Sequence, residues 1–226
     1  MTKRANMPGH PQSQLYRQLR DVDPRDYHRT IRLYEEKEAE IGRLEVYEYF
    51  ELTVHYANAL FATGAYRQHL LMVDLVINAC IRHNITAVAG VEGDVFQHLL
   101  FTKGVSAYRL GQHPVASHVI GELIRIDPYR PLPFRFLRTI FFSQQKKTLQ
   151  AGRAIFLLCM LLTAAIITLD LLFIRHFYPA LTPGFQLASA TAFVGGLVLL
   201  ALIYGLAYAR AQRRAAQFRA AAKKKG

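Results

Sequence analysis

Histidine and serine are the residues of this sequence that could carry out catalysis or bind a metal, and their spacing is the first test of either role. None of the nine histidines stands four residues from another, the spacing by which one helix face binds a catalytic zinc ion. Ser106 and Ser117 lack the glycine-flanked turn that exposes a nucleophilic serine. The segment GVEG at 90–93 resembles half of a phosphate-binding loop, but no Lys-Ser/Thr pair follows it. We therefore predict no catalytic residue, no metal, no cofactor and no enzymatic activity.

The charge of the chain is divided unevenly. The net charge is +12, and residues 151–226 hold nine Lys/Arg against one acidic residue, whereas residues 1–150 hold 19 against 15. Because this basic third is also the most apolar part of the chain, it indicates a membrane rather than a nucleic acid as partner. Residues 1–22 begin with basic residues but contain no apolar stretch, so we predict a disordered tail there and not a signal peptide.

Two long apolar runs predict membrane spans. The run at 154–174 contains one charged residue, Asp170, and the run at 187–209 contains none. Each run is long enough to cross a hydrocarbon core, which takes roughly 20 helical residues. The linking sequence RHFYPALTPGFQ is rich in proline and glycine, so the two spans should form a hairpin within residues 151–209. We expect Asp170 to reach water at the outer end of its span, with an ion or proton site as the alternative.

Basic residues at the ends of the spans predict the orientation of the hairpin. Five Lys/Arg closely precede the first span and seven follow the second, whereas the linking segment holds only Arg175. This distribution places both termini in the cytoplasm and the link outside, in an inner or plasma membrane crossed twice. We expect the basic tail at 210–226 to contact anionic headgroups. The flanking basic residues are Lys146, Lys147, Arg153, Arg210, Arg213 and Arg214.

Small residues recur every fourth position in the second span. They are Ala188, Ala192 and Gly196, followed by Ala201, Gly205 and Ala209. Such spacing lets two helices approach closely in a membrane. We expect this face to pack against the first span near Ala164 and Ala165, and a homo-oligomer formed through the same face is the alternative.

Residues 23–150 predict a helical domain with an internal repeat. Residues 50–81 and 97–128 each contain two amphipathic helices joined at a glycine, Gly64 in the first and Gly111 in the second. A small residue lies seven positions before each glycine and an aromatic residue three before, and this self-similarity indicates a repeat architecture. We predict that a further helix, at 134–147, closes the stack.

The second segment resembles a tetratricopeptide repeat. Gly104, Gly111, Ala116 and the closing Asp127-Pro128 stand where that motif places its small residues and its final proline. Residues 50–83 resemble a degenerate copy, in which His69 replaces a small residue of the second helix. The resemblance implies an all-α fold: a short tetratricopeptide-like domain, with repeats at about 50–83 and 97–130, followed by a C-terminal transmembrane α-hairpin.

The resemblance also implies an exposed groove lined by the first helix of each repeat. In this sequence the groove positions are Val54, Asn58, Phe61, Phe101, Val105, Tyr108 and Arg109. Asn58 matches a position that holds a C-terminal carboxylate in related repeats, but Val54 stands where that clamp has lysine. A mostly apolar, aromatic groove of this kind suits a short amphipathic segment of a protein partner.

The sequence therefore predicts a membrane-anchored, cytoplasm-facing adaptor or scaffold that binds a protein partner and no nucleic acid. One alternative is a membrane effector, or a small subunit of a membrane complex, whose helical domain senses a trigger and whose spans oligomerise or perturb the bilayer. A second alternative is an enzyme whose site carries no recognisable motif.

Overall fold

The computed structural model describes residues 13–23, 25–177 and 181–223, and these residues form helices and loops without a strand. The predicted all-α fold with two long apolar helices at the C-terminus is thereby confirmed. The chain divides into two compact units, at residues 1–127 and 128–226. The helices of the first unit are α1 (Gln14–Arg20), α2 (Tyr27–Glu36), α3 (Glu38–Ile41), α4 (Val46–Thr63), α5 (Tyr66–His83), α6 (Val95–Arg109) and α7 (His113–Ile126).

Two helical hairpins, α4–α5 and α6–α7, form the centre of the first unit, as the internal repeat predicts. Gly64 and Gly111 end the first helix of each hairpin with φ angles of 82° and 77°, a left-handed conformation that side chains other than glycine rarely adopt. Gly104 marks the closest approach of α6 to α7, because a Cβ atom added there would lie 2.6 Å from Cδ1 of Ile120. The turn glycines therefore have the same role in both hairpins, and Gly104 adds a close helix contact in the second.

The N-terminal helices pack against α4. Tyr34 of α2 stacks on Tyr56 of α4 with ring centroids 4.1 Å apart, and its hydroxyl lies 3.0 Å from the hydroxyl of Thr53. In α1, Tyr16 is 3% exposed, and the Ser13 hydroxyl accepts a hydrogen bond from the Tyr16 backbone amide. The predicted disordered tail at 1–22 is therefore wrong for residues 14–20, because their apolar side chains are buried; residues 1–12 lie outside the described residues.

The second unit begins at residue 128, so the predicted domain boundary at 150 is wrong. Its helices are α8 (Pro131–Ser143), α9 (Lys146–Leu169), a π-helical turn (Asp170–Ile174), α10 (Arg175–Phe177) and α11 (Thr182–Lys223). The helix that we expected to close the repeat stack is α8, and it packs against α11 instead. Residues 210–223 of the predicted basic tail are not a separate segment either, because α11 continues as one helix from the second apolar run to Lys223; residues 224–226 lie outside the described residues.

A row of buried alanines forms the face of α11 against which α8 packs. Ala207, Ala211 and Ala215 are at most 1% exposed, and Leu137 and Ile140 of α8 are 0% exposed. Alanines four residues apart lie on one face of a helix, where their small side chains admit the larger residues of a neighbouring helix. We call α8 together with residues 209–223 of α11 the stalk.

The helices α8 and α9 run antiparallel to α11 in one continuous register. As the chain runs from α8 through α9, the contacting residues on α11 lie progressively earlier in the sequence. The Phe134 ring contacts Arg219, and Cys159 lies against Gly196. Between them, the side-chain amide of Gln145 donates a hydrogen bond to the Ala207 carbonyl. The break between α8 and α9 at Gln144–Gln145 does not interrupt this pairing.

The apolar runs expose most of their side chains. Two helices, Thr148–Ile174 and Thr182–Lys223, are long and apolar enough to cross a membrane, and only 6% and 11% of their most apolar windows are buried. A core helix of a soluble protein would instead bury such residues against its neighbours. Exposed leucines such as Leu158, Leu161 and Leu187 are suited to contact lipid.

The contacts between the two spans differ in part from those predicted. Gly196 packs as expected from a small residue, because a Cβ atom there would lie 2.8 Å from Cβ of Cys159. Gly205 faces away from α9, with nothing within 4 Å of an added Cβ. Ala164 and Ala165, where close packing was expected, are exposed, and Ala164 lines an open cleft of about 440 Å³ between the helices. Asp170 does not reach water as predicted; it is 5% exposed, within the π-helical turn.

We predict that Leu137→Ala loosens α8 from α11. Removing a fully buried leucine side chain costs about 2–5 kcal/mol, and this loss falls on the contact that holds the stalk together. Hydrogen–deuterium exchange of the full chain in detergent should then show faster exchange throughout α8. Leu132→Ala is the matched control, because Leu132 lies on the same helix but is 56% exposed. Equal exchange in the two variants would contradict the assigned packing.

Candidate partner and membrane surfaces

The groove positions on α4 are less accessible than the repeat pattern predicts. Val54 is 0% exposed and belongs to a buried cluster with Phe50, Val95 and Leu99, so its assignment to a partner-binding groove is wrong. Asn58 is half-buried, and its side-chain oxygen lies 3.0 Å from Nε2 of His98 on α6. The first half of the predicted groove is therefore occupied by contacts within the unit.

The loop between the two hairpins explains why Val54 is buried. Val88, in the middle of this loop, is 6% exposed and lies in the same cluster as Val54. The loop is fixed at both ends, since the Ile85 amide bonds the Cys80 carbonyl and the Val95 amide bonds the Thr86 carbonyl. The insertion that departs from the tetratricopeptide pattern thus supplies an apolar side chain to the core of the first hairpin.

The remaining groove positions lie on α4 and α6 and are at least partly exposed. Phe61, Phe101, Val105 and Tyr108 are half-buried, and Arg109 is exposed. The Phe61 ring is held in place, with its centroid 5.4 Å from that of the His69 ring. Apolar side chains beside an exposed guanidinium could contact an amphipathic peptide that carries a carboxylate. These positions keep the predicted chemical character, although the surface is smaller than expected.

Buried polar residues connect α5 to α6, and sequence reasoning did not pair them. His69 and Ser106 are both 0% exposed, and Nδ1 of His69 lies 2.9 Å from the Ser106 hydroxyl. The other ring nitrogen, Nε2, has no hydrogen-bond partner among the described residues. A serine beside a histidine is the pairing of a nucleophile and its base, but in this conformation neither side chain can touch a substrate. The only sequence signal was His69 standing where the repeat motif has a small residue.

Burial makes the charged form of His69 unfavourable. Desolvation, with a smaller contribution from His98, lowers the pKa of His69 to about 4. Burial also lowers the pKa of His98. Both side chains are therefore neutral near neutral pH, when His98 bonds Asn58 and His69 bonds Ser106.

The flanking basic residues lie at one end of the apolar helices. Arg210, Arg213 and Arg214 are exposed on α11, and Lys146 is exposed at the start of α9. Nε of Arg153 donates a hydrogen bond to the Tyr204 hydroxyl over 2.8 Å. Tyrosine is enriched where a membrane span meets water. The side chain of Lys147 lies outside the described residues.

The chain matches no family model, no curated protein and no solved structure. The tetratricopeptide character of the first unit therefore stays a prediction. What supports it is the pair of matched hairpins, each with a left-handed glycine at its turn.

We predict that acid destabilises the first unit through His69. In the unfolded chain a histidine has a pKa of about 6.5, so below that pH the unfolded state binds a proton that buried His69 does not bind until about pH 4. The free energy of unfolding should therefore fall by roughly 3 kcal/mol between pH 6.5 and pH 4, at about 1.4 kcal/mol per pH unit. Urea denaturation of the full chain in detergent, followed by helical circular dichroism, measures this slope.

His69→Gln should reduce the pH dependence, because glutamine can bond Ser106 without titrating. His98 would still contribute in the same direction, so part of the slope should remain. His83→Gln is the control, since His83 lies on the same helix but is exposed. An unchanged slope in the His69 variant would contradict the assignment.

Proposed function

We propose that the protein is a membrane-anchored adaptor, whose helical-repeat unit binds a protein partner on the cytoplasmic side while the apolar hairpin holds it in the membrane. The proposal rests on the contrast between the two units. Residues 1–127 hold 14 Lys/Arg and 15 Asp/Glu, whereas residues 128–226 hold 14 Lys/Arg and one Asp/Glu. A nearly neutral helical unit thus precedes a strongly basic one with lipid-suited spans, an arrangement typical of a soluble module on a membrane anchor.

The stalk is the observation that carries the adaptor proposal. The Arg219 guanidinium donates a hydrogen bond to the carbonyl of Pro128, the first residue of the second unit, over 2.9 Å. Arg219 follows the last apolar residue of the second span by ten positions, and at 1.5 Å per residue this is roughly 15 Å of helix. The chain therefore enters the second unit at a point beyond the headgroup layer. This position suits presentation to a partner in solution better than insertion of the helical unit into lipid.

We expect cysteine labelling to show the proposed orientation. In a background with Cys80→Ser and Cys159→Ser, a cysteine at Leu181 should react with a membrane-impermeant maleimide in intact cells. A cysteine at Gln217 should react only after the cells are permeabilised, because it lies on the stalk. Labelling of Gln217→Cys alone in intact cells would show that the orientation is the reverse.

We expect a photo-crosslinking amino acid at Tyr108 of the full chain to trap one discrete partner in cells. Leu71 is the control position, because it is 73% exposed on α5, outside the proposed surface. Arg109→Glu should strongly weaken the Tyr108 adduct, since it reverses the charge beside the apolar surface. Equal adducts from both positions, or none from Tyr108, would contradict the proposed partner surface. In that case the effector alternative, tested by leakage of vesicles that carry the protein, becomes the better account.

A further inference from the structure

Six basic residues of the second unit form two groups with different contacts, and the first group holds the stalk together. Arg138 lies over the Tyr208 ring, Arg219 over Phe134 and Lys223 over Tyr129, with distances of 5.2, 5.1 and 5.0 Å to the ring centroids. Each of these pairs joins the α8 side of the stalk to α11. A cation over an aromatic ring is attracted by the electrons of its face. The charges of this group are therefore engaged within the protein.

The second group consists of Arg210, Arg213 and Arg214, which are exposed. They stand at positions i, i+3 and i+4 of α11, so their side chains leave the same side of the helix. Among the residues that the structure describes, none makes a hydrogen bond, ion pair or ring contact with them. The alanines beside them, Ala211 and Ala215, are buried, whereas the three arginines stay exposed and are not covered by α8.

Like charges so close on one helix repel each other and require counter-charge. Within residues 128–226 the only acidic residue is Asp170, which lies at the other end of α9, about 40 Å from Arg210 at 1.5 Å per residue of intervening helix. No acidic side chain of the second unit therefore lies near these arginines, so an anion that binds them would come from outside the unit.

The position of the arginines beside the apolar run indicates which class of anion they bind. Arg210 immediately follows the apolar run that ends at Ala209. Leu202 and Leu206, 58% and 55% exposed, precede it on the helix. If these leucines contact acyl chains, the three guanidinium groups lie within about 8 Å of the hydrocarbon edge, the depth of lipid phosphates. Guanidinium groups bind phosphate oxygens in pairs.

We propose that Arg210, Arg213 and Arg214 form a binding site for the phosphate groups of anionic phospholipids at the cytoplasmic surface of the membrane. This inference rests on the membrane anchoring in the proposed function, and it adds the ligand class and the residues. Nucleic acid is the less suitable anion, because a polymer would have to enter the headgroup layer to reach these side chains.

The test reconstitutes the full chain in phosphatidylcholine bilayers with trace amounts of spin-labelled lipids. Electron spin resonance then compares how strongly the protein immobilises labelled phosphatidylglycerol and labelled phosphatidylcholine. We expect a clear preference for phosphatidylglycerol that weakens with added salt. Replacing all three arginines by glutamine should abolish most of that preference, since each basic residue at an anionic surface contributes up to roughly fivefold.

Two control variants define what a loss means. Arg25→Gln, Arg29→Gln and Arg32→Gln together remove three exposed arginines from α2 and the residues just before it, and this α2 variant should leave the lipid preference unchanged. Replacing Arg210, Arg213 and Arg214 by lysine keeps the charge and should retain most of the preference. An unaltered preference in the glutamine variant, or an equal loss in the α2 variant, would overturn the proposed site.

Two additions separate the sources of phosphate. Inorganic phosphate at matched ionic strength should reduce the preference no more than chloride does; a specific loss would identify a site for free phosphate instead. Single-stranded DNA that competes fully with the lipid would likewise replace the lipid proposal. Cysteine labelling is independent of all these outcomes, so a failed lipid test leaves the adaptor orientation standing, and a reversed orientation contradicts only that proposal.

Discussion

The stalk depends on one contact, the packing of α8 against the alanines of α11. An isolated amphipathic helix gains little stability in water, so α8 needs a partner for Leu137 and Ile140, and the alanine face provides it. The same contact buries one face of α11 beyond its apolar run, whereas Arg210, Arg213 and Arg214 stay exposed. The anchor and the lipid site that we propose both follow from a face whose residues carry no functional groups.

In the first unit, apolar packing and buried polar contacts have different roles. The cluster around Phe50 and Val54 joins the first hairpin, the inter-hairpin loop and α6 by apolar burial alone. The Asn58–His98 and His69–Ser106 pairs instead fix how the hairpins face each other, because a shift of either helix would leave buried polar groups without partners. Burial of His69 lowers the stability of the folded unit even in the native arrangement, because one of its ring nitrogens has no hydrogen-bond partner among the described residues.

Features that depend on local chemistry could be predicted from the sequence. Gly64 and Gly111 identify the hairpin turns because a left-handed residue needs glycine, and the apolar runs identify the spans because their length matches a bilayer. Features that depend on a distant partner could not. The stretch RAQRRAAQFRAAAK at 210–223 resembles a solvated basic tail in the sequence, but in the structure its alanines pack against leucine and isoleucine of α8. Val54 fits a groove position until Val88, 34 residues away, covers the same cluster.

Because α11 is one continuous helix, a tilt of its apolar part also moves the stalk. Spans answer a change in bilayer thickness by tilting, and a tilt of about 20° is ordinary. Because Arg219 holds Pro128 roughly 15 Å along the helix beyond the hydrocarbon edge, such a tilt displaces that point sideways by roughly 5 Å. If a flexible tail followed the two helices instead, the same tilt would not displace the unit attached to them. If the apolar helices span a bilayer as proposed, a change in its thickness therefore displaces residue 128, where the first unit ends and the second begins.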